Sequence, residues 1–250
     1  MNEPLRVRRI HSLRSLRWLA KGWSDFTSAP MIGLTHGAVI ALFGGLLLWF
    51  GWTRFWALAG AFSGFLLVAP VLSTGLYAVS RALARDEAVS WSTVWRVWLS
   101  LDRRLVAFGL LLTAQGTVWV LTSAALIQVW ADAPVDTPEQ FVRHVILSPH
   151  AGLFEGWLLF GGLLAAPVFA STLVTIPLLM DRPQVGVVQA ISTSLRAVAT
   201  NPVLSSLWAA ILMTLTLIGF GSMMFLLIMV LPVLGHASWH AYRDLVVRES

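Results

Sequence analysis

The chain has 250 residues, 57% hydrophobic and 12% charged, with Lys+Arg 17 against Asp+Glu 12 and a formal net charge of +5. A soluble domain carries about 25% charged residues, so this composition cannot build a water-facing surface and points to a membrane. Cysteine is absent, which excludes disulfides, thiolate metal sites and thiol catalysis, and the basic residues flank apolar runs, which favours membrane orientation over nucleic-acid binding.

Residues 5–24 predict a basic amphipathic helix. Leu13, Leu16, Ala20 and Trp23 share one face of a helical wheel, with Arg14, Arg17 and Lys21 on the neighbouring one. Such a segment lies in the headgroup layer, apolar side down; a solvated basic tail is the alternative. No cleavable signal peptide is expected, because the polar stretch before Met31 is too long for an n-region, and the first span then serves as an uncleaved anchor.

A first span is expected over 33–50, then a tight turn at 51–54 marked by Trp49, Trp52 and Trp56, then a second span over 55–80. Pro70 lies near the middle of the second span and frees the carbonyl of Leu66. Residues 81–104 are polar again, with Arg81, Arg85, Arg96, Arg103 and Arg104. Trp91, Trp95 and Trp98 fall on one helical face and Arg96 with Arg103 on another, which predicts a second interfacial helix. A third span covers 105–130. The loop 131–153 holds Asp132, Asp136 and Glu139 against Arg143, and reads as the longest outer loop. The fourth span, 153–180, contains Pro167 and Pro177. A weaker amphipathic stretch surrounds Ser194-Leu195-Arg196, and Asn201-Pro202 opens the last apolar block, 203–239.

That block decides the topology. One span followed by a surface helix gives five crossings; two short spans turning at 219–222 give six. With six crossings and both termini inside, the inner segments hold 15 of the 17 basic residues, leaving Arg54 and Arg143 outside. Five crossings would move Arg243 and Arg248 outside, so the positive-inside rule mildly prefers six. An internal repeat points the same way. Positions 68–83 and 230–245 align at a constant offset of 162 with six of sixteen residues identical, matching Pro70 to Pro232, Tyr77 to Trp239 and Arg81 to Arg243. A third copy places Pro167 opposite Pro70 at an offset of 97. Recurrence of short apolar words by chance is the competing explanation.

The expected fold is therefore an all-α polytopic membrane bundle of six transmembrane helices in three hairpin repeats, each preceded by an amphipathic interfacial helix. The segments are 1–30 as an N-terminal amphipathic stretch, 31–80 as hairpin 1, 81–104 as an interfacial helix and 105–180 as hairpin 2. They continue with 181–202 as a further interfacial helix, 203–242 as hairpin 3 and 243–250 as a cytoplasmic tail.

His236 and His240 are one helical turn apart, a spacing that can hold a metal or a haem iron. No neighbouring carboxylate or cysteine in the sequence completes such a set, and interfacial histidines bonded to lipid phosphate or to other helices are the plainer reading. Pro70, Pro167, Pro232, Tyr77, Arg81, Trp239, Tyr242 and Arg243 read as structural: kinks, inner-end aromatics and snorkelling arginines. Tyr242-Arg243-Asp244 could form a local ion pair, too exposed to contribute much. Nucleophile, zinc-protease, P-loop and dinucleotide signatures are all missing, so no catalytic residue and no cofactor is expected. The predicted mid-membrane layer holds no ionisable group, unlike most ion-coupled transporters. Gly44-Gly45, Gly60 with Gly64, and Gly161-Gly162 suit close helix packing.

Five groups of residues carry a resemblance. They are Gly22-Trp23-x-Asp25 with Pro30; Pro70-Val71-Leu72-x-x-Gly75-Leu76-Tyr77-x-x-Ser80-Arg81; Pro177-Leu178-Leu179-Met180-Asp181-Arg182; Ser194-x-Arg196-Ala197 with Asn201-Pro202 and Trp208; and Gly235-His236-Ala237-Ser238-Trp239-His240-Ala241-Tyr242-Arg243-Asp244. The chain resembles an uncharacterised bacterial family of predicted multi-pass integral membrane proteins, catalogued as a domain of unknown function. The resemblance implies a bacterial inner-membrane protein and supplies no activity. Proteins that look like this family sometimes carry an oxidase-related label, but this chain lacks the spread of mid-helix histidines that haem–copper chemistry needs. The expected role is a non-enzymatic structural, accessory or envelope-homeostasis protein with anionic headgroups, and other membrane proteins or itself, as partners. The alternatives are a permease or channel for an apolar or amphipathic solute, and haem or metal binding through His236 and His240.

Overall fold

The computed structural model describes residues 5–51, 55–100, 102–148 and 152–247, with the backbone alone at 50–51, 55–59 and 62–70. The interfacial markers Trp52, Arg54 and Trp56, the ring of Pro70, and Arg248 therefore lie outside the described side chains.

The chain is all-helical: α1 Arg14–Ser28, α2 Pro30–Gly51, α3 Phe55–Leu83, α4 Trp91–Leu99, α5 Arg103–Trp130, α6 Pro138–Phe141 followed by a π-helical turn Val142–Ile146, α7 Leu153–Thr172, α8 Thr175–Asp181, α9 Val187–Thr200, α10 Pro202–Gly221 and α11 Leu227–Leu245. Among the described residues four helical segments are long and apolar enough to cross a membrane: Pro30–Trp49, Arg103–Trp130, Leu153–Asp181 and Pro202–Gly221.

Local chemistry sets most boundaries. Asp102 caps α5, its carboxylate accepting from the Arg104 N–H at 2.9 Å, so the helix before it cannot run on into α5. Arg96 and Arg103 accordingly sit on different helices and share no face, contrary to expectation. The fourth apolar segment is broken between Thr172 and Thr175. Pro177 has no N–H to give the Leu173 carbonyl and its ring crowds that carbonyl, which explains the break. The last block also divides. Met223 and Met224 take positive φ (54 and 70) in the turn between α10 and α11, and the Ser222 hydroxyl accepts from the Leu226 N–H at 2.9 Å.

The second half of this block is a helix packed inside the bundle. Ten residues of α11 are buried, and it packs against α1, α2 and α3. Close approach is possible because small residues line the contacts: a Cβ at Gly22 of α1 would strike the Val233 carbonyl and the backbone and side chain of Ala237, and one at Gly37 of α2 would strike the backbone of Ile228. These glycines, rather than Gly45, Gly60 or Gly162, which meet nothing within 4 Å, bring helices together.

α1 has two apolar faces. Leu13, Leu16 and Trp23 are exposed, whereas Ser15, Trp18, Gly22 and Phe26 are buried. The residues before α1 are extended. Val7 bridges Val246 in antiparallel fashion, Arg8 N donates to the Leu245 carbonyl at 2.9 Å, and Val247 N donates to Arg6 at 3.0 Å. The main core sits here, where Trp18, Tyr77, Phe108, Leu178, Trp208, Trp239 and Leu245 meet.

Candidate functional site

The site is built on the last three turns of α11. His236 is fully buried, and its Nδ1 lies 2.8 Å from Ser80 Oγ on α3. One turn on, His240 Nε2 lies 2.8 Å from Asp25 Oδ2 on α1, a pair whose side chains are each 14% exposed. Tyr242 donates its hydroxyl to Asp181 Oδ2 on α8 at 2.8 Å. Asp244 accepts from Trp18 Nε1 at 2.9 Å and lies 3.6 Å from Arg14 Nε, both on α1. Four polar side chains of one helix thus engage three other helices.

The tandem Tyr242-Arg243-Asp244 does not form the local ion pair expected of it. Tyr242 and Asp244 turn to partners far away in sequence, and Arg243 lies over the Trp239 ring at 5.7 Å, a cation–π contact. Trp239 and Tyr77, expected as inner-end aromatics at the interface, are 0% and 6% exposed. Their rings stack at 6.4 Å and 26°, and Trp239 packs against Tyr242 at 5.4 Å. Burial follows from the small residues beside them: Gly235, Ala237 and Ala241 let α1 and α3 close over the aromatic rings instead of leaving them at a headgroup boundary.

His36 lies on α2 nearby. Its Nδ1 donates to the Ile32 carbonyl at 2.8 Å, and its ring stacks on Trp91 at 6.3 Å and tilts against Trp98 at 5.1 Å. The imidazole therefore fastens α4 to α2, with Gly75 of α3 leaving room for its Nε2. Among the described residues, the buried groups with no hydrogen-bond partner are His36 Nε2, Trp98 Nε1, Ser205 Oγ, His236 Nε2 and Trp239 Nε1.

The two histidines of α11 are held by different helices, His236 by α3 and His240 by α1. Among the described residues no three His, Asp or Glu side chains gather in a metal-binding group. Asp25 is the carboxylate that sequence inspection missed: it lies 215 positions from His240.

A second polar junction ties the chain loops to this core. The Arg104 guanidinium donates to the carbonyls of Leu179 (2.8 Å), Arg182 (2.9 Å), Pro183 (2.9 Å) and Val185 (2.7 Å), and forks onto Asp102. Partial burial pushes the Asp102 carboxyl up, but the hydrogen bonds and charge of Arg104 outweigh it and hold the group below its usual range. Arg182 donates to the Val247 carbonyl at 2.7 Å. Asn201, between α9 and α10, accepts from Ile10 N at 2.9 Å and donates to the Arg8 carbonyl at 2.9 Å.

Pro167 is exposed and Pro232 is buried beside Gly33 of α2, so these prolines do not surround one cavity. A groove of about 650 Å³ runs instead between α7 and α10, lined by Gly162, Ala166, Phe169, Ser205, Ala209 and Met213 among others.

A helical bundle with long apolar crossing helices and a polar, buried joint at one end is an integral membrane protein. The profile of a family described as predicted integral membrane protein (DUF2189), of unknown function, matches residues 57–181, half of the chain, and the chain belongs to that family. The match takes in the Pro70–Arg81 motif with Ser80 and, of the next motif, Pro177 to Asp181, and stops short of α11. No curated protein and no solved structure matches the chain.

Proposed function

We propose that the protein is a non-enzymatic, six-crossing protein of a bacterial inner membrane, both termini cytoplasmic, that supports membrane complexes or envelope homeostasis through lateral packing and lipid contact. One observation carries this reading. Four polar side chains of α11, His236, His240, Tyr242 and Asp244, bond to neighbouring helices, while the outward faces are apolar and exposed: Leu110, Val118 and Leu121 on α5, Leu159 and Leu163 on α7, Met213 and Leu217 on α10. Ligand chemistry has little to work with, and lateral association has a broad surface.

Six crossings follow from counting α3, 29 residues long, and α11 with the four segments above. The chain then runs as three hairpins, α2 with α3, α5 with α7–α8, and α10 with α11, preceded by α1, α4 and α9. The arginine-rich segments fall together at one end, which the positive-inside rule places in the cytoplasm. Photo-crosslinking from Leu121 and Leu217 in native membranes tests the role. Discrete protein adducts are expected; lipid adducts alone, with a monomer in native nanodiscs, would overturn it.

The α7–α10 groove favours a second reading, a permease for an amphipathic solute. Its walls are apolar, and the buried Ser205 hydroxyl, which lines it, has no partner. Under this reading purified protein in vesicles moves amphipathic amines, and Ala209→Trp, which fills the groove, blocks them. Equal flux through the filled variant, or none above empty vesicles, removes it.

A further inference from the structure

The end of α3 and the turn into α4 enclose a second cavity, of about 320 Å³. Its charged lining is Arg81 from α3, Arg85 and Glu87 from the turn and Arg96 from α4, over a floor of alanines including Ala78 and Ala82. The turn that folds α4 back is specific. Asp86 adopts φ 54, and Asp86 N and Glu87 N donate to the Leu83 and Ala82 carbonyls at 3.2 and 3.0 Å. These bonds occupy the last carbonyls of α3, which would otherwise repel an anion.

We propose that this cavity binds the phosphate group of an acidic glycerophospholipid. Three guanidiniums face one carboxylate, leaving an excess of two positive charges. Glu87 is 3.8 Å from Arg85 with both side chains more than half exposed, a weak pair. Neither Arg81 nor Arg96 has a carboxylate within 4 Å among the described residues, so their N–H groups are available to phosphate oxygens in the forked geometry that guanidinium favours. Thr93 adds a hydroxyl whose oxygen accepts from Ser90 N at 3.4 Å, leaving its proton for a ligand. A lipid is the source because the same α4 presents Trp91, Trp95 and Leu99 as exposed apolar side chains, Leu99 at 76%. An aromatic belt of this kind sits at headgroup depth.

The placement at headgroup depth rests on the membrane reading; the accessory role is tested separately by crosslinking, so either can fail without the other. The experiment uses the full chain in a zwitterionic detergent, titrated with phosphatidylglycerol or phosphatidylcholine and read by native mass spectrometry. Wild-type protein is expected to retain phosphatidylglycerol in preference. The double variant R81Q/R96Q should lose about tenfold or more in apparent affinity, since it removes two charge-assisted contacts. Arg17→Gln, which removes one charge from exposed α1, should leave binding unchanged. Ala88→Leu, at an exposed position on the cavity rim, fills the site without altering charge and should reproduce the loss even if the double variant folds poorly. Equal retention of both lipids, or equal binding by wild type and Ala88→Leu, overturns the site. Displacement by inorganic phosphate at concentrations matching the lipid makes the ligand a soluble anion and overturns the lipid assignment.

Discussion

α11 and α5 are the instructive pair. Both are long and both touch α3, yet α11 is buried on most sides and polar along its last three turns, whereas α5 beyond Arg104 is predominantly apolar and only 22% of its most apolar stretch is buried. In a bilayer, apolar side chains gain little by leaving lipid for another helix, so apolar character alone does not select a neighbour. Position is specified instead by small residues that admit close contact and by polar groups that must find each other. α11 has both. The outward faces of α5, α7 and α10 carry large exposed apolar side chains such as Leu121, Leu163 and Leu217 and are left for lipid or for other proteins.

The sharpest way to break this contrast is to deny α11 its close contact. Gly22→Val should cost about 3 kcal/mol in chemical denaturation from mixed micelles, because the added side chain meets backbone rather than a flexible chain end. Arg104→Gln should follow, at about 2 kcal/mol, since four backbone carbonyls lose a charged donor. Acid should weaken the same junction. Asp102 is held below its usual carboxyl value in the folded state, so its stabilisation is complete above the unfolded value and disappears as pH falls through the folded one. Asp102→Asn should flatten that part of the pH–stability profile. A double-mutant cycle on Asp25→Ala and His240→Ala should give a coupling of about 1 kcal/mol; strict additivity would mean that the contact does not position α11. Smallest of all, Leu121→Ala on the exposed face of α5 should change stability by less than about 0.5 kcal/mol.

Much of this was legible in the sequence, for physical reasons. Apolar runs bounded by tryptophan and arginine located the long helices closely: the span expected over 105–130 is α5, Arg103–Trp130. Asn201-Pro202, expected to open the last apolar block, starts α10, whereas the break before Pro177 falls inside a stretch expected to be one continuous span. The joint itself was harder to see. On a wheel, α1 shows Leu13, Leu16 and Trp23 as its apolar face, yet the face that meets α11 carries Ser15 and Gly22, which look polar or neutral although small residues are what let membrane helices approach. Asp25 and Asp181 gave no local sign of being partners to His240 and Tyr242, because those contacts exist only after the chain has come together. A lone acid beside an aromatic in an amphipathic stretch was the available signal, and it was not specific.

The tie between Trp18 and Asp244, 226 positions apart, has a consequence for biosynthesis. At about 5–20 residues per second of synthesis, α1 emerges roughly 10–45 s before the helix it is shaped to hold. During that interval Gly22, Asp25 and Trp18 have no mate, and the outward Leu13, Leu16 and Trp23 can park the helix on the lipid surface. The seam can close only once α11 has been made, and a ribosome that stalls before Leu227 releases a chain with this seam open, legible to any protease that surveys the membrane for unfinished proteins.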